Sequence, residues 1–272
     1  MSATLLETRQ ITRRFGGLVA VDGVDLDVAE GEVHGLIGPN GAGKTTMLNL
    51  LSGHLPSSSG SILFADADVT RHAAEKRAIA GIRRTFQNLK LFKELPALDN
   101  VMVGLHASTR SEIFHALLRT PFQRREEREI VERAREALDF VGLGPFADKA
   151  AGSLPYGHQR LLEIARAFVA RPKLLLLDEP AAGLNGAESK ALVDLIRRIR
   201  AAGTTTVLVE HHMDVVMPTC DRITVLNYGK LLAKGTPQDI RHNSEVIGAY
   251  LGKGSALKRE RAAQEGAVHA AP

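Results

Sequence analysis

The spacing of apolar positions changes along the chain, and each spacing predicts a different element. In residues 21–28, VDGVDLDV, apolar and acidic positions alternate, the period of a half-exposed strand. Residues 32–37, EVHGLI, predict a strand that runs straight into a glycine-rich turn and then a helical stretch over 43–52. Another strand is expected at 61–64, SILF, after the turn signals between Pro56 and Gly60. From about 90 to 170 the period lengthens. Ile130, Ala134, Leu138 and Val141 recur at helical spacing with charges on the other faces, and 97–118 also leans helical. Then strand and helix alternate: strand 173–178, helix 187–201, strand 205–210, helix 212–219, strand 222–227.

This alternation predicts a largely parallel sheet with helices on its faces. The unbroken leucines 174–177 suit a central strand buried on both sides. The middle third reads as a helical insertion, about 90–170, in a sheet domain. The tail from Lys253 is rich in alanine, glycine and charge, lacks a period, and reads as disordered. No internal repeat is visible.

Composition narrows the class. At 272 residues, with 44% hydrophobic and 24% charged, the chain has the mix of a globular protein with a sizeable core. No apolar run approaches the ~20 residues of a membrane span, and the start, MSATLLETRQ, does not resemble a signal peptide. A single cysteine, Cys220, excludes an internal disulfide framework and cysteine-built metal sites. The surplus of 35 basic over 31 acidic side chains is small, and the run Arg124 to Glu129 interleaves both signs as a solvated helix face does. With 4% aromatics and no tryptophan, a nucleic-acid partner is not expected.

The chemistry is carried by two segments. Gly38-Pro39-Asn40-Gly41-Ala42-Gly43-Lys44-Thr45, followed by Thr46, matches the phosphate-binding loop and lies between an apolar strand and a helix, as that motif requires. Glycines let backbone N–H groups face phosphate oxygens, Lys44 adds a full charge, and the Thr45 hydroxyl can ligate Mg²⁺. The second segment is the buried strand that ends in Asp178-Glu179. Both carboxylates emerge at the carboxyl edge of the sheet, where ligands bind in open α/β folds. Asp178 suits Mg²⁺ through its water shell, and Glu179, one residue further, suits the polarising of an attacking water. A nucleotide and Mg²⁺ are the ligands this pair of segments expects.

An ordered set of further motifs resembles the nucleotide-binding subunits of ABC transporters over about residues 5–252. Gln87 stands in Arg84-Thr85-Phe86-Gln87-Asn88, 43 positions after Lys44. Ser153-Leu154-Pro155-Tyr156-Gly157-His158-Gln159-Arg160 precedes an apolar helix, and Asp178-Glu179, Ala182 to Asn185 and His211 follow. Within that family the likeness is to the LivG-type subunit of branched-chain amino acid importers. It rests on Arg14 to Gly17, Phe86 to Phe92, Leu154 to Gly157, Glu163 to Ala167, Pro180 to Asn185, Val209 to Met213, and the ending from Gly235-Thr236-Pro237 to Ala249-Tyr250-Leu251-Gly252.

The resemblance implies a P-loop NTPase fold: a RecA-like core, an antiparallel β subdomain and a helical subdomain. It implies an ABC ATPase domain over 1–252, with 253–272 as tail. Phe15 would stack on adenine, the alternative being an ordinary core aromatic. Gln87 would meet Mg²⁺ or the lytic water, and His211 would hold the γ-phosphate and orient Glu179. Leu154, Pro155, Tyr156, Gly157 and His158 would complete the ATP site of a partner ATPase subunit. The implied setting is the cytoplasmic face of the plasma membrane, with a homologous ATPase subunit, two membrane permeases and, indirectly, a periplasmic binding protein. Branched-chain amino acids are the implied cargo, with urea, short amides or another cargo such as lipopolysaccharide as alternatives, a soluble ABC ATPase as a second class, and a nucleotide-gated regulator, disfavoured by Glu179 and His211, as a third.

Two departures stand out. Pro155 replaces the serine of the wider family's LSGGQ signature, so the site it completes either works more weakly or is degenerate. Asn185 stands where many relatives carry aspartate.

Overall fold

The structure, a computed structural model, describes residues 3–108 and 121–250, with side chains over 3–105 and 127–250. The tail from Lys253 and residues 109–118 of the expected helix 97–118 lie outside the described residues.

In chain order, β1 (Thr4–Phe15) and β2 (Leu18–Ala29) form a long hairpin, and β3 (Val33–Ile37) leads through the glycine-rich turn into α1 (Lys44–Leu51). Next come β4 (Ser59–Phe64), β5 (Ala67–Asp68), α2 (Ala74–Ala80) and β6 (Ile82–Arg84). The helical middle contains α3 (Ala97–Met102), α4 (Pro121–Phe140) and α5 (Tyr156–Phe168). It is followed by β7 (Leu174–Asp178), α6 (Gly186–Ala201), β8 (Thr205–Val209), α7 (Met213–Thr219), β9 (Arg222–Asn227), β10 (Lys230–Gly235) and α8 (Pro237–His242).

The strands form two sheets. One is antiparallel, in the order β2-β1-β4-β5. The other has the order β10-β9-β3-β8-β7-β6, parallel except for β10 at one edge. The period of two along a strand sorts the core between its faces. Leu174, Leu176, Val207, Val209 and Leu36 pack with α1 and the antiparallel sheet. Leu175, Leu177, Leu208, Val33 and Ile37 pack with α3 to α7 on the other side. α1 is therefore buried between two sheets, and the residues that open it sit where the layers meet.

β1 was not foreseen, for a reason visible in its pairing. Register shifts between Thr8 and Ile11, with Gln10 at φ 48°, flip the parity of buried positions from Leu6 and Thr8 to Ile11, so no single alternation runs through the strand. Over the described part of the stretch 97–118, residues 97–108, the α-helix is shorter than the pattern suggested. α3 stops at Met102 and a 3-10 turn continues over Val103–Ser108. Gly104 lies so close to α5 that a Cβ would clash with the Arg166 carbonyl oxygen. In α4, Ala134 and Leu138 are buried, with Val141 just beyond its end, while Glu127, Arg128 and Glu129 are exposed as the charge run implied.

Candidate functional site

The site is built where β3 ends. Gly38 passes so close to β9 that a Cβ would clash with the Leu226 carbonyl oxygen. Gly43 holds φ +100° with the Ala20 carbonyl 2.5 Å from where its Cβ would be. Both positions exclude a side chain, so the loop can wrap its N–H groups around an anion. Lys44 opens α1, and its Nζ donates to the carbonyls of Gly38 (2.7 Å) and Pro39 (3.1 Å). Burial lowers its pKa, while the charges of Glu179 and Asp178 pull it back up. In front of the loop is a cavity of about 700 Å³, lined by Asn40 to Thr46 with Gln87, Glu179 and His211.

Asp178 closes β7 and is buried. Its Oδ2 accepts from Arg84 at 2.8 Å, and its N–H donates to Thr85 Oγ1 at 3.2 Å. Burial raises its pKa, and the Arg84 guanidinium opposes that rise. Oδ1 is buried with no hydrogen-bond partner. A hard oxygen with an unused lone pair beside a phosphate loop fits a Mg²⁺ water shell.

Glu179, the first residue beyond β7, adopts φ +47°, a left-handed conformation uncommon outside glycine that costs on the order of 1–3 kcal/mol. Its N–H bonds the Val209 carbonyl at 2.9 Å, so the turn is tied to the neighbouring strand. The Glu179 carboxylate accepts from Gln87 Nε2 at 2.9 Å and lies 3.8 Å from His211 Nδ1. Residues 87, 179 and 211, far apart in sequence, thus meet at one carboxylate.

Several residues with no expected role hold this arrangement. Glu210 is fully buried. One of its oxygens accepts from the Ala181 N–H (2.7 Å), the other from the N–H groups of His211 (3.0 Å) and His212 (3.2 Å). It pins the turn after Glu179 to the turn that carries His211. Arg160 of α5 donates to the carbonyls of Phe86 (3.1 Å) and Gln87 (2.7 Å), which links the helical layer to the Gln87 loop. Glu163 accepts from the Phe86 N–H at 3.3 Å; burial raises its pKa, while that bond and then Arg166 and Arg160 lower it. The signal for Glu210 in the sequence was a carboxylate closing an apolar strand, the same signal as Asp178. The motif that includes Arg160 gave no hint of its bonds to the Phe86 and Gln87 carbonyls, because backbone acceptors leave no mark in a side-chain pattern. At the back of the loop, Tyr250 takes a backbone hydrogen bond from Gly38, although burial pushes its phenol up to about 12.

The signature residues divide. Pro155 is the N-cap of α5, and its carbonyl accepts the first helical bond, from Gln159, at 3.0 Å. Leu154 is buried, and Tyr156 is half-exposed with its hydroxyl bonded by Arg160 at 2.9 Å. A Cβ on Gly157 would meet Glu188 Oε1 at 2.5 Å. His158 packs its ring against Phe146 at 4.9 Å, inside the helical layer. Asn185 acts locally, as the start of α6. Its side chain accepts from the N–H groups of Ala187 and Glu188, and Glu188 answers in a capping box.

Phe15, at the end of β1, is 43% exposed, so it is not a core aromatic. Arg13 lies 4.6 Å over its ring, and it does not line the cavity. The aromatic that does is Tyr228, at the β9–β10 turn with φ 47°, next to Gly229, whose N–H bonds the Ala42 carbonyl at 3.0 Å.

Among the described residues no helix is long and apolar enough to cross a membrane. A model of the ABC transporter family matches residues 21–182, and a model described as branched-chain amino acid ATP-binding cassette transporter matches 230–256. The chain is 47% identical over 254 residues to the high-affinity branched-chain amino acid transport ATP-binding protein BraF of Pseudomonas aeruginosa, covering 93% of this chain and all of that one. It is 45% identical, with the same coverage, to LivG of Escherichia coli K12, which carries the same description. A solved ATP-binding cassette of an ABC transporter in its ADP conformation superposes with a TM-score of 0.81 at 30% identity, over 92% of this chain and all of that one. The ATP-binding cassette expected from the motifs is therefore the fold of this chain, and the chain belongs to the ABC transporter ATP-binding proteins, among the BraF and LivG relatives.

Proposed function

We propose that this chain hydrolyses ATP at the cavity before Lys44 and uses it to drive import of branched-chain amino acids through partner permeases. The observation that carries the reading is the convergence of Lys44, Gln87, Glu179 and His211 around one phosphate loop, with Asp178 beside it.

Lys44 neutralises charge that develops on the β- and γ-phosphates. Glu179 takes the proton of the attacking water, and the buried Glu210 below it keeps the two supporting turns in place. His211 holds the γ-phosphate and keeps Glu179 oriented. Mg²⁺, held by Thr45 and Asp178 with Gln87, would supply further neutralisation when bound. Phe15, exposed at the end of β1, or Tyr228, exposed at the β9–β10 turn that lines the cavity, would face the adenine. The N-terminus of α5, from Leu154 to His158, would complete the ATP site of a homologous ATPase subunit, a heterodimer in which Pro155 makes the two sites unequal. Two permeases would dock near Gln87 at the cytoplasmic face of the membrane, with a periplasmic binding protein delivering cargo. The ATPase domain would end near residue 252.

The test is uptake in cells lacking this chain, complemented with wild type or Glu179→Gln and offered labelled leucine, valine, urea and a short aliphatic amide. Leucine and valine uptake restored only by wild type supports the reading. Restoration of urea or amide uptake instead moves the cargo. No change in any uptake, with no permease recovered alongside the chain, favours a soluble ABC ATPase.

A further inference from the structure

One buried cation beside the site has no part in these steps. Arg84 ends β6, and its side chain is only 6% exposed. Its guanidinium is spent on three elements. Nη2 donates to Asp178 Oδ2 at 2.8 Å, at the end of β7. Nη1 donates to Asn49 Oδ1 (2.5 Å) in α1 and to Ser52 Oγ (3.2 Å) at the end of that helix. Nε donates to the Thr85 carbonyl at 3.2 Å, and the Phe86 ring lies 5.2 Å from Cζ. The fork thus spans the helix that Lys44 opens, the acid of β7 and the strand that runs on to Gln87. Among the described hydrogen bonds Lys44 gives none to Asp178: its Nζ donates to the Gly38 and Pro39 carbonyls.

A buried carboxylate can turn about its last torsion unless something holds one oxygen. Here Oδ2 is held and Oδ1 is without a partner. We propose that Arg84 is a positioning residue for the nucleotide's divalent cation. By fixing Oδ2 of Asp178 against α1, it leaves Oδ1 as the oxygen presented to the cation's water shell. The proposal rests on ATP hydrolysis at this site and adds a residue to it. The partners that orient a metal's ligands set its affinity, and their loss typically weakens binding by about 10- to 100-fold. A lysine restores the charge without the planar fork that reaches Asp178, Asn49 and Ser52 at once.

The experiment uses the full chain with a non-hydrolysable ATP analogue. Mn²⁺ affinity of the nucleotide complex is read by electron paramagnetic resonance, and analogue affinity without metal is read in EDTA by calorimetry. Arg84→Gln is expected to weaken Mn²⁺ about tenfold or more and to leave the metal-free affinity within about twofold, with Arg84→Lys between it and wild type. In an Asp178→Asn background, Arg84→Gln should add less than a twofold loss. Unchanged Mn²⁺ affinity in a folded Arg84→Gln overturns the proposal. So does an equal loss in both backgrounds, or a parallel fall in metal-free affinity, since a purely structural staple would produce either. If the glutamine variant does not fold, Arg84→Lys decides alone: a several-fold loss of Mn²⁺ affinity supports the proposal and wild-type affinity overturns it. A wild-type chain whose nucleotide complex takes up no Mn²⁺ overturns the functional reading, and the proposal with it.

Discussion

Glu210→Gln perturbs the site without touching a reacting group. The wild-type carboxylate accepts three backbone N–H groups, from Ala181, His211 and His212, and is fully buried. An amide has one oxygen for two positions. If that oxygen faces His211 and His212, the NH₂ opposes the Ala181 N–H, and one buried donor is left without an acceptor at a cost of about 1–3 kcal/mol. The two surviving bonds lose their charge and weaken by about 1 kcal/mol each. The opposite flip orphans two donors and costs more. The expected destabilisation is therefore about 3–5 kcal/mol, a fall in Tm of roughly 6–20 °C for a domain of this size. Because the same carboxylate ties the turn after Glu179 to the turn before α7, kcat should fall while nucleotide affinity stays near wild type. Thermal melting by circular dichroism and steady-state ATPase at a temperature well below the transition read both effects. A Tm within about 2 °C of wild type would refute the claim that this carboxylate holds the two turns.

Glu179→Gln keeps the shape of the base and loses its proton affinity, so ATP should still bind while turnover falls by about 10²-fold or more; residual turnover near wild type in a single-turnover assay would remove Glu179 from the role of base. Pro155→Ser places a hydroxyl and an N–H at the N-cap of α5, where the wild type has neither, and should both stabilise that helix by about 1 kcal/mol and raise the ATPase rate of the assembled complex. An unchanged rate would mean that the site completed by this signature is not limited by Pro155. Burial pushes the Cys220 thiol up to about 12, so at pH 8 it lies four units below its midpoint and only about 1 in 10⁴ molecules carries the thiolate. Ellman's reagent should modify it only on unfolding, and rapid labelling of the native chain would contradict its burial against Gly35.

The phosphate loop was legible in the sequence because its chemistry is local. Glycines at 38, 41 and 43, a lysine and a threonine at set spacing, and flanking strand and helix patterns require no knowledge of distant contacts. The acids at 178 and 179 were legible because a strand buried on both faces is uniformly apolar, and its first polar residues mark the sheet edge. The alternating elements from β7 to β9 were equally plain, since their strands are buried on both faces, whereas the partly exposed β10 at the sheet edge was not foreseen. β1 was hidden because a bulge at Gln10 breaks the period that would reveal it, and β6 because three residues carry no period at all.

What only the tertiary structure decided is which groups meet. Sequence order separates Arg84 from Asp178 by 94 positions, and parallel pairing of β6 with β7 brings them into one ion pair. Gln87 reaches Glu179 across 92 positions, and Glu210 joins two turns through backbone N–H groups that no side-chain pattern records. The same holds for the contact of His158, a residue of the signature motif, with the Phe146 ring. Local conformation and phosphate chemistry are written in short windows, because their energies come from neighbours in the chain. The orientation of the acids depends on buried charges and backbone donors delivered by other strands, and those exist only once the sheet has formed.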